Sequence, residues 1–253
     1  MTFDQTTVDF FLKCLIKTVS LDTGKHFDFK EFEVTVQLLT QLDRSEVFPK
    51  LRNILDQSKI RQEWNQVLCE NRSQMLANWL SLHITGNVLD MLCGDGMVGN
   101  QLAKLGFSVT LSERYFDYDF DRRSHHLSFF PHEELDEIKE AVTFDTVLIS
   151  AMLHHEKDQI KIMELAKTFK PKRIIIIENP IEKQFSYNFH ILWDLFFNQC
   201  LNYCNIGNPM GHKTINGWIE FCKNYGKILA LERREDIPGI PFSYILLCVE
   251  VEP

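Results

Sequence analysis

The chain has 253 residues, of which 45% are hydrophobic and 25% are charged, and its formal net charge is −8. This balance is that of a globular protein of one or two domains, and it excludes collagen-like, mucin-like and wholly disordered chains. The acidic charge argues against nucleic acids and anionic membrane surfaces as partners, because both carry charges of the same sign. A membrane-spanning helix needs about 18 consecutive apolar residues, and no apolar run is that long. The first residues also lack the basic region of a secretory signal.

The seven cysteines are odd in number and scattered, which is typical of a protein kept in a reducing compartment. We therefore expect a cytoplasmic protein without a disulfide framework. Cys200 and Cys204 are spaced by one helical turn, but no second pair follows, so we expect no zinc site. The aspartates at 117, 119 and 121 resemble the opening of a calcium loop but lack its glycine and its last glutamate, so we expect no metal there.

Residues 1–84 have the patterning of helices. Apolar residues recur at helical spacing in three stretches before residue 56, and a further helix is predicted from Gln62 to His83. Gly86 ends this region. We therefore predict an N-terminal helical cap over residues 1–84.

After Gly86, short apolar runs rich in β-branched residues alternate with helical stretches. Such runs are typical of buried parallel strands, and their alternation with helices predicts a doubly wound α/β sheet. Two last runs, joined by residues 238–241, predict an antiparallel hairpin at one edge. We therefore predict a seven-stranded, Rossmann-like sheet in a core domain of residues 85–253, with an aromatic-rich insertion at 181–216. The predicted strands are 88–92, 108–111, 127–130, 146–149, 173–177, 227–232 and 242–251.

A glycine-rich loop joins the first predicted strand to the next helix, and it carries Gly94, Gly96 and Gly99. Glycines allow a tight turn and the close approach of a ligand, and the first turn of a helix offers free backbone N–H groups. Glu113 ends the second strand, where a carboxylate can accept hydrogen bonds from ribose hydroxyls. The segment therefore predicts a site for a cofactor that contains a ribose.

Two cofactors fit this loop. The spacing Gly94-x-Gly96-x-x-Gly99 matches the dinucleotide-binding pattern. However, Asp90 stands at the strand end, where a carboxylate repels a pyrophosphate and suits a cationic group such as a methionine ammonium. The order Asp90-x-Leu92-x-Gly94-x-Gly96 resembles the D-x-G-x-G-x-G arrangement of class I S-adenosylmethionine-dependent methyltransferases, with Leu92 in place of the first glycine.

Further segments are similar to the small-molecule branch of that family, which includes ubiquinone/menaquinone and sugar or natural-product methyltransferases. Residues 144–155 resemble its fourth-strand motif with a terminal His pair, 170–178 its fifth strand, 217–226 the helix before its last hairpin, and 70–72 the helix leading into its core. The resemblance spans residues 70–253. It implies S-adenosyl-L-methionine as cofactor, S-adenosyl-L-homocysteine as product and a small molecule as substrate. The residues that it assigns to the cofactor are Arg72, Asp90, Leu92, Cys93, Gly94, Asp95, Gly96, Met97, Glu113, Arg114, His132, Glu133, Ala151 and Met152.

Methyl transfer to a hydroxyl also needs a base that removes the proton. A base with a pKa near neutrality suits this role, and histidine is the side chain that has one. His154 and His155 follow the fourth strand and Glu178 ends the fifth. Neighbouring parallel strands end at the same edge of the sheet, and a carboxylate beside a histidine fixes its tautomer and raises its basicity. The sequence therefore predicts His154 as a base oriented by Glu178, with His155 as a further candidate. This pair favours O-methylation, while N- and C-methylation stay open.

The insertion after the fifth strand is rich in aromatic residues, which are typical both of an apolar pocket and of a packed core. Tyr187, His190 and Trp193 are the predicted substrate-binding residues. In the resembled family an acidic residue after the third strand often contacts the adenine. In this sequence His132 and the glutamates that follow it are all candidates for that contact.

Two other functions are compatible with the sequence. Leu92 at a glycine position favours a non-catalytic interaction protein on the same fold, and the glycine spacing alone is compatible with an NAD-dependent oxidoreductase. A monomer and a dimer are both open.

Overall fold

The structure is a computed structural model that describes residues 1–114, 127–139, 142–204, 206–207 and 210–251. The aspartates at 117, 119 and 121 lie outside the described residues. In the described part of the chain the α-helices are α1 (Gln5–Thr23), α2 (Lys30–Gln37), α3 (Arg44–Gln57), α4 (Ile60–Val67), α5 (Ser73–Ser81), α6 (Met97–Lys104), α7 (Leu135–Ile138), α8 (Gln159–Thr168), α9 (Tyr187–Phe196) and α10 (Ile215–Lys223). The strands are β1 (Val88–Met91), β2 (Val109–Glu113), β3 (Ser128–Pro131), β4 (Thr146–Ser150), β5 (Arg173–Glu178), β6 (Lys227–Arg234) and β7 (Tyr244–Glu250).

The chain forms two compact units, each assembled from three segments. The helical unit comprises Met1–Arg72, Ile181–Asn208 and Asp236–Phe242. The sheet unit comprises Ser73–Pro180, Pro209–Glu235 and Ser243–Pro253. A compact unit need not be a domain that folds alone, so the domain boundary after residue 84 stays a prediction.

Helix α1 of the helical unit shows why its sequence is helical. The Asp4 carboxylate accepts a hydrogen bond from the Thr7 backbone N–H at 2.9 Å and caps the first turn, and Gly24 takes a left-handed conformation that ends the helix. Its buried face includes Phe11, whose ring meets those of Trp193 and Phe196 edge-on, with centroids 5.6 and 5.2 Å away. Aromatic packing therefore joins α1 to α9.

A half-buried carboxylate joins distant segments of the helical unit. Asp22 accepts hydrogen bonds from the Trp64 indole N–H at 2.9 Å and from the Gly239 backbone N–H at 2.7 Å. Burial raises the pKa of Asp22, and the two hydrogen bonds oppose that rise. The last segment of the unit, 236–242, is therefore held to the first.

The helix predicted from Gln62 to His83 is observed as three successive elements. They are α4, a π-helical turn at Leu68–Arg72, and α5. The apolar spacing continues through the turn, so periodicity alone could not reveal the change in hydrogen bonding.

The sheet unit contains a seven-stranded sheet in the order β3-β2-β1-β4-β5-β7-β6. Strands β1 to β5 run parallel, and β7 pairs antiparallel with both β5 and β6. The four isoleucines of β5, at 174–177, are fully buried, as expected for a strand covered on both faces. The predicted doubly wound α/β fold with its terminal antiparallel pair is confirmed.

The direction of the strand order reverses at β1, whose neighbours are β2 and β4. In such sheets ligands bind outside the carboxyl ends of the strands at this switch point. No helix in the described part of the chain has both the length and the apolar character needed to cross a membrane.

Candidate active site

The glycine loop follows β1 directly, at the switch point of the sheet. Gly94 and Gly96 have φ values of 61° and 70°, which glycine adopts without steric cost. The Cys93 backbone N–H donates to the Ser112 carbonyl at 3.0 Å and so fastens the loop to the end of β2. The Asp95 carboxylate accepts from the Met97 backbone N–H at 3.1 Å, at the start of α6. The predicted loop between strand and helix is therefore present.

Gly99 allows α6 to lie close to the sheet. A Cβ atom there would lie 2.4 Å from the Leu111 Cδ2 atom and 3.0 Å from an Asp90 carboxylate oxygen. Real Cβ atoms essentially never approach another atom to 2.4 Å, so a larger residue would force the Leu111 side chain or the helix to shift. The third glycine thus serves helix packing.

Leu92 lies at the position where the resembled family has a glycine. Its φ of 59° is left-handed, and its side chain is fully buried. A non-glycine residue in this conformation costs about 1–2 kcal/mol. The buried side chain contributes apolar stabilisation of the same order, and we attribute the tolerance of leucine to that compensation.

Asp90 is a carboxylate with almost no access to solvent, since the residue is 1% exposed. Neither oxygen has a hydrogen-bond partner of normal geometry among the described residues, although the nearby Gly99 backbone N–H lowers the pKa. Burial, reinforced by the negative charges of Glu113 and Asp95, raises the pKa of Asp90 to about 7. A cationic group would relieve this unfavourable environment, whereas a further negative charge would add to it.

Glu113 ends β2 beside the loop and is also buried. Its carboxylate accepts hydrogen bonds from the backbone N–H groups of Gly94 and Arg114, the latter at 2.7 Å. The Arg114 guanidinium in turn pairs with Glu156 at 3.0 Å. Glu113 is therefore held at the loop, where sequence analysis expected a ribose-binding carboxylate.

His132 and Glu133, the two candidates after β3 for contact with the adenine, have different environments. His132 is buried, and burial followed by the positive charge of Arg114 lowers its pKa to about 4, so its ring is neutral near pH 7. Glu133 is exposed.

Two further predicted residues lie at the end of β4. Ala151 has a φ of 54° and donates its N–H to the Ile177 carbonyl at 2.7 Å, and Met152 is buried.

His154 and Glu178 form a buried pair at the ends of β4 and β5. His154 Nδ1 lies 2.6 Å from Glu178 Oε2, and the two side chains are 2% and 0% exposed. The other oxygen of Glu178 accepts from the Leu153 backbone N–H at 2.8 Å. The ring of His155 lies with its centroid 4.3 Å from that of His154. The predicted spatial pairing of histidine and carboxylate is therefore present.

The structure also places a third histidine here, which sequence analysis missed. The His212 ring stacks on that of His154, with centroids 4.4 Å apart and planes 17° apart. No motif marks residues 210–213, and the chain passes through α8, β5 and α9 between His154 and this segment. Only the tertiary structure brings them together.

The remaining predicted residues belong to the helical unit. His190 and Trp193 are buried in α9, and the His190 ring lies 4.6 Å from the Phe242 ring. Tyr187 is 37% exposed, and the Arg72 guanidinium lies over the Phe197 ring at 5.4 Å. His190 and Trp193 are thus part of the aromatic packing of this unit.

Several solved structures are similar to this chain in fold. Mitomycin 7-O-methyltransferase MmcR has 14% identity and a TM-score of 0.50, with 93% of this chain and 72% of that chain covered. The PH0226 protein of Pyrococcus horikoshii OT3 has 15% identity and a TM-score of 0.50, with coverages of 76% and 92%. Magnesium protoporphyrin IX methyltransferase of Synechocystis PCC 6803, crystallised with bound S-adenosylhomocysteine, has 14% identity and a TM-score of 0.48, with coverages of 71% and 83%. No curated protein matches the chain significantly.

The strand order, the glycine loop and the carboxylate at the end of β1 define the fold of class I S-adenosylmethionine-dependent methyltransferases. A family model described as a methyltransferase domain matches residues 58–207, which is more than half of the chain. The chain belongs to this methyltransferase domain family.

Proposed function

We propose that this protein transfers the methyl group of S-adenosyl-L-methionine to a small-molecule acceptor, with a hydroxyl oxygen as the favoured acceptor. The pair formed by His154 and Glu178 carries the proposal, because its 2.6 Å contact is buried at the carboxyl ends of two neighbouring strands. A histidine held by a carboxylate is the arrangement that removes a proton from a hydroxyl near neutral pH.

The Glu178 carboxylate decides which nitrogen of His154 acts as the base. Because Glu178 Oε1 already accepts from the Leu153 N–H, the second oxygen is positioned to accept from His154 Nδ1–H. In that tautomer Nε2 carries the ring's lone pair, and we propose that Nε2 accepts the hydroxyl proton while the acceptor oxygen forms its new bond to carbon. When bound, the cofactor supplies the methyl group and becomes S-adenosyl-L-homocysteine. His155 is a further proposed contributor.

In the cofactor site, we propose that Asp90 holds the methionine ammonium, because its carboxylate is buried among other negative charges. Glu113 is proposed to bind the ribose hydroxyls, and His132 and Glu133 are the candidates beside the adenine. The other proposed cofactor residues are Arg72, Leu92, Cys93, Gly94, Asp95, Gly96, Met97, Arg114, Ala151 and Met152.

The acceptor is proposed to be small and partly apolar, with Tyr187, His190 and Trp193 as acceptor-binding residues and with nitrogen or carbon as possible acceptor atoms. We also propose that the protein acts in the cytoplasm and binds no nucleic acid. The support is that all seven cysteines are free thiols and the net charge is −8.

Calorimetric titration tests the cofactor part of this proposal. The purified protein is titrated with S-adenosyl-L-methionine, S-adenosyl-L-homocysteine and, as a control, NAD. We expect micromolar binding of the first two that Asp90→Asn weakens at least about tenfold, since an ion pair to a buried charge is lost. Binding of NAD alone would support an oxidoreductase, and binding of none of the three ligands would support a non-catalytic interaction protein.

Transfer of a radiolabelled methyl group to a panel of hydroxylated small molecules tests the catalytic part. His154→Gln is expected to retain cofactor binding and to slow transfer to a hydroxyl by about 100-fold or more, within the range of general base catalysis. His26→Gln, at an exposed position of the helical unit, is the matched control. Equal turnover in His154→Gln and the control would remove His154 as the base.

A further inference from the structure

We propose that β6 is an interface strand, and that a second copy of this chain pairs with it so that two sheets join edge to edge about a twofold axis. In the described part of the chain, β6 is the last strand at one edge of the sheet and has β7 on its inner side. A strand in that position presents backbone N–H and C=O groups that can pair with another strand. The inference concerns assembly and does not depend on the proposed methyl transfer.

The two edges of the sheet differ in how they are protected against such pairing. At the other edge, β3 has four residues and ends in Pro131, which has no N–H to donate. Short edge strands and proline are means by which proteins avoid edge-to-edge association. Strand β6 has eight residues and no proline, so it lacks both.

The middle of β6, residues 228–231, is apolar, and charged residues stand only at its two ends. None of the residues of β6 is buried, whereas six of the seven residues of β7 are. Leu229 and Leu231 are 42% and 44% exposed, and they lie on the same face of the strand because side chains alternate. A partner strand would cover both leucines.

The opposite face of β6 is held to α5 within the same unit. Glu232 accepts a hydrogen bond from the Trp79 indole N–H at 2.6 Å and lies 2.9 Å from the His83 Nε2 atom. The Arg234 guanidinium lies 5.9 Å from the centre of the Trp79 ring. These contacts fix the strand before a partner binds, so pairing costs less conformational entropy than it would for a mobile edge.

A twofold axis limits the registers in which two copies of β6 can pair. The two strands run antiparallel, and the same faces of the two sheets meet only when the axis passes through a residue. An axis through Ala230 places Lys227 opposite Arg233, and an axis through Glu232 places that glutamate opposite itself. Both registers bring like charges together, which destabilises the pairing. An axis through Leu229 pairs a smaller part of the strand.

An axis through Leu231 avoids these faults. It pairs residues 228–234 so that Leu231 faces its own copy and each charged residue faces an apolar one. At the two ends, Lys227 of one copy lies opposite Glu235 of the other. The Glu235 side chain is 72% exposed and pairs with Arg233 at 2.8 Å in its own chain, so its carboxylate is accessible to a second cation. Charge complementarity therefore selects this register and makes a second copy the partner.

The pairing is centred on the regular part of β6. The ladder between β6 and β7 shows a register shift between Ile228 and Ala230 and is continuous from Ala230 to Arg234. The axis at Leu231 lies in the continuous part. Seven paired residues from each copy form about six to eight hydrogen bonds between the strands.

Sedimentation equilibrium of the purified protein tests the interface. The wild type is expected to be a dimer at micromolar concentration. Leu231→Lys places two ammonium groups opposite each other on the axis and should raise the dimer Kd by about 100-fold or more. Leu105→Lys, at a leucine of the sheet unit with a nearly equal exposure of 45%, is the matched control and should dimerise like the wild type.

Charge reversal tests the register. Lys227→Glu and Glu235→Lys each place like charges opposite one another, and each change acts twice because of the symmetry. Each should raise the dimer Kd about tenfold. The double variant restores opposite charges at both ends and should recover the Kd of the wild type.

Oxidative cross-linking locates the axis. In Leu231→Cys the two new cysteines face each other with Cβ atoms about 4.5–5.5 Å apart, so a disulfide between the copies should form. In Leu229→Cys, on the same face, the two cysteines lie about 13 Å apart along the strands and should not cross-link. The wild type, whose seven cysteines are free thiols, gives the background.

A wild type that stays monomeric at about 100 µM, or a dimer that Leu231→Lys does not weaken, would overturn the inference. A covalent dimer in Leu229→Cys but not in Leu231→Cys would overturn the register. Because Leu231 is exposed, Leu231→Lys should keep its fold, which circular dichroism checks. If it does not fold, the charge-reversal variants decide the question. None of these measurements requires the cofactor or an acceptor, so failure of the proposed function is detected separately.

Discussion

Replacing Asp90 with asparagine should stabilise the cofactor-free protein, and the gain should grow with pH. The pKa of Asp90 is raised from its ordinary 3.8 to about 7 in the folded protein. Between these values the folded state holds a proton that the unfolded state has released, so the stability of the wild type falls as pH rises. Asparagine has nearly the same shape as aspartate but does not ionise, so the stability of the variant should not fall with pH in this way.

The size of the effect follows from the shift. Each pH unit between the two pKa values is worth about 1.4 kcal/mol, so the ionised carboxylate costs the folded protein about 4 kcal/mol above pH 7. From pH 5 to pH 8, the stability difference between Asp90→Asn and the wild type should increase by about 2–3 kcal/mol. Urea unfolding of dialysed, cofactor-free protein at both pH values measures it.

Asp145→Asn is a control with the opposite sign. The ion pair with Lys172 holds the pKa of Asp145 below its usual 3.8, so its charged form stabilises the fold at every pH above that value, and Asp145→Asn should be less stable than the wild type by the same amount at pH 5 and pH 8. A stability difference between Asp90→Asn and the wild type that is equal at pH 5 and pH 8 would refute the assignment of Asp90 as a buried, uncompensated carboxylate.

Three further predictions follow from the packing and from the same carboxylate. Gly99→Ala should cost about 1–3 kcal/mol of unfolding free energy through overpacking. Gly207→Ala, whose Cβ would have no atom of the described residues within 4 Å, should be near neutral, and equal denaturation midpoints would contradict this. Phe11→Ala should cost about 3–5 kcal/mol and Phe10→Ala, at a 37% exposed position, clearly less, as chemical denaturation would show. Binding of S-adenosyl-L-homocysteine at pH 6 should release up to one proton from Asp90, and calorimetry in buffers of different ionisation enthalpy should detect less release at pH 8.

The sheet could be predicted from the sequence because its local signals agree with its tertiary structure. The isoleucine run at 174–177 is β-branched, short and bounded by turns, and a buried parallel strand needs all three properties. The glycine loop could also be predicted, because the left-handed conformation of Gly94 and Gly96 is one that glycine adopts readily.

Other features depend on contacts that no local pattern records. His212 lies on a segment without a motif, and its place beside His154 is set by the hydrogen bonds of Gln159 and Gly211. The π-helical turn at Leu68–Arg72 keeps the apolar spacing of a helix and so remains invisible to periodicity.

Because the helical unit is built from three separate segments of the chain, its packing cannot be completed until the third segment has been translated. Asp22 is translated 217 residues before Gly239, whose backbone N–H is one of its two hydrogen-bond donors. Translation adds about 5–20 residues per second, so the N-terminal helices wait on the order of ten seconds for their final segment. During that interval a partly buried carboxylate lacks one donor, and the nascent chain exposes apolar surface that chaperones recognise.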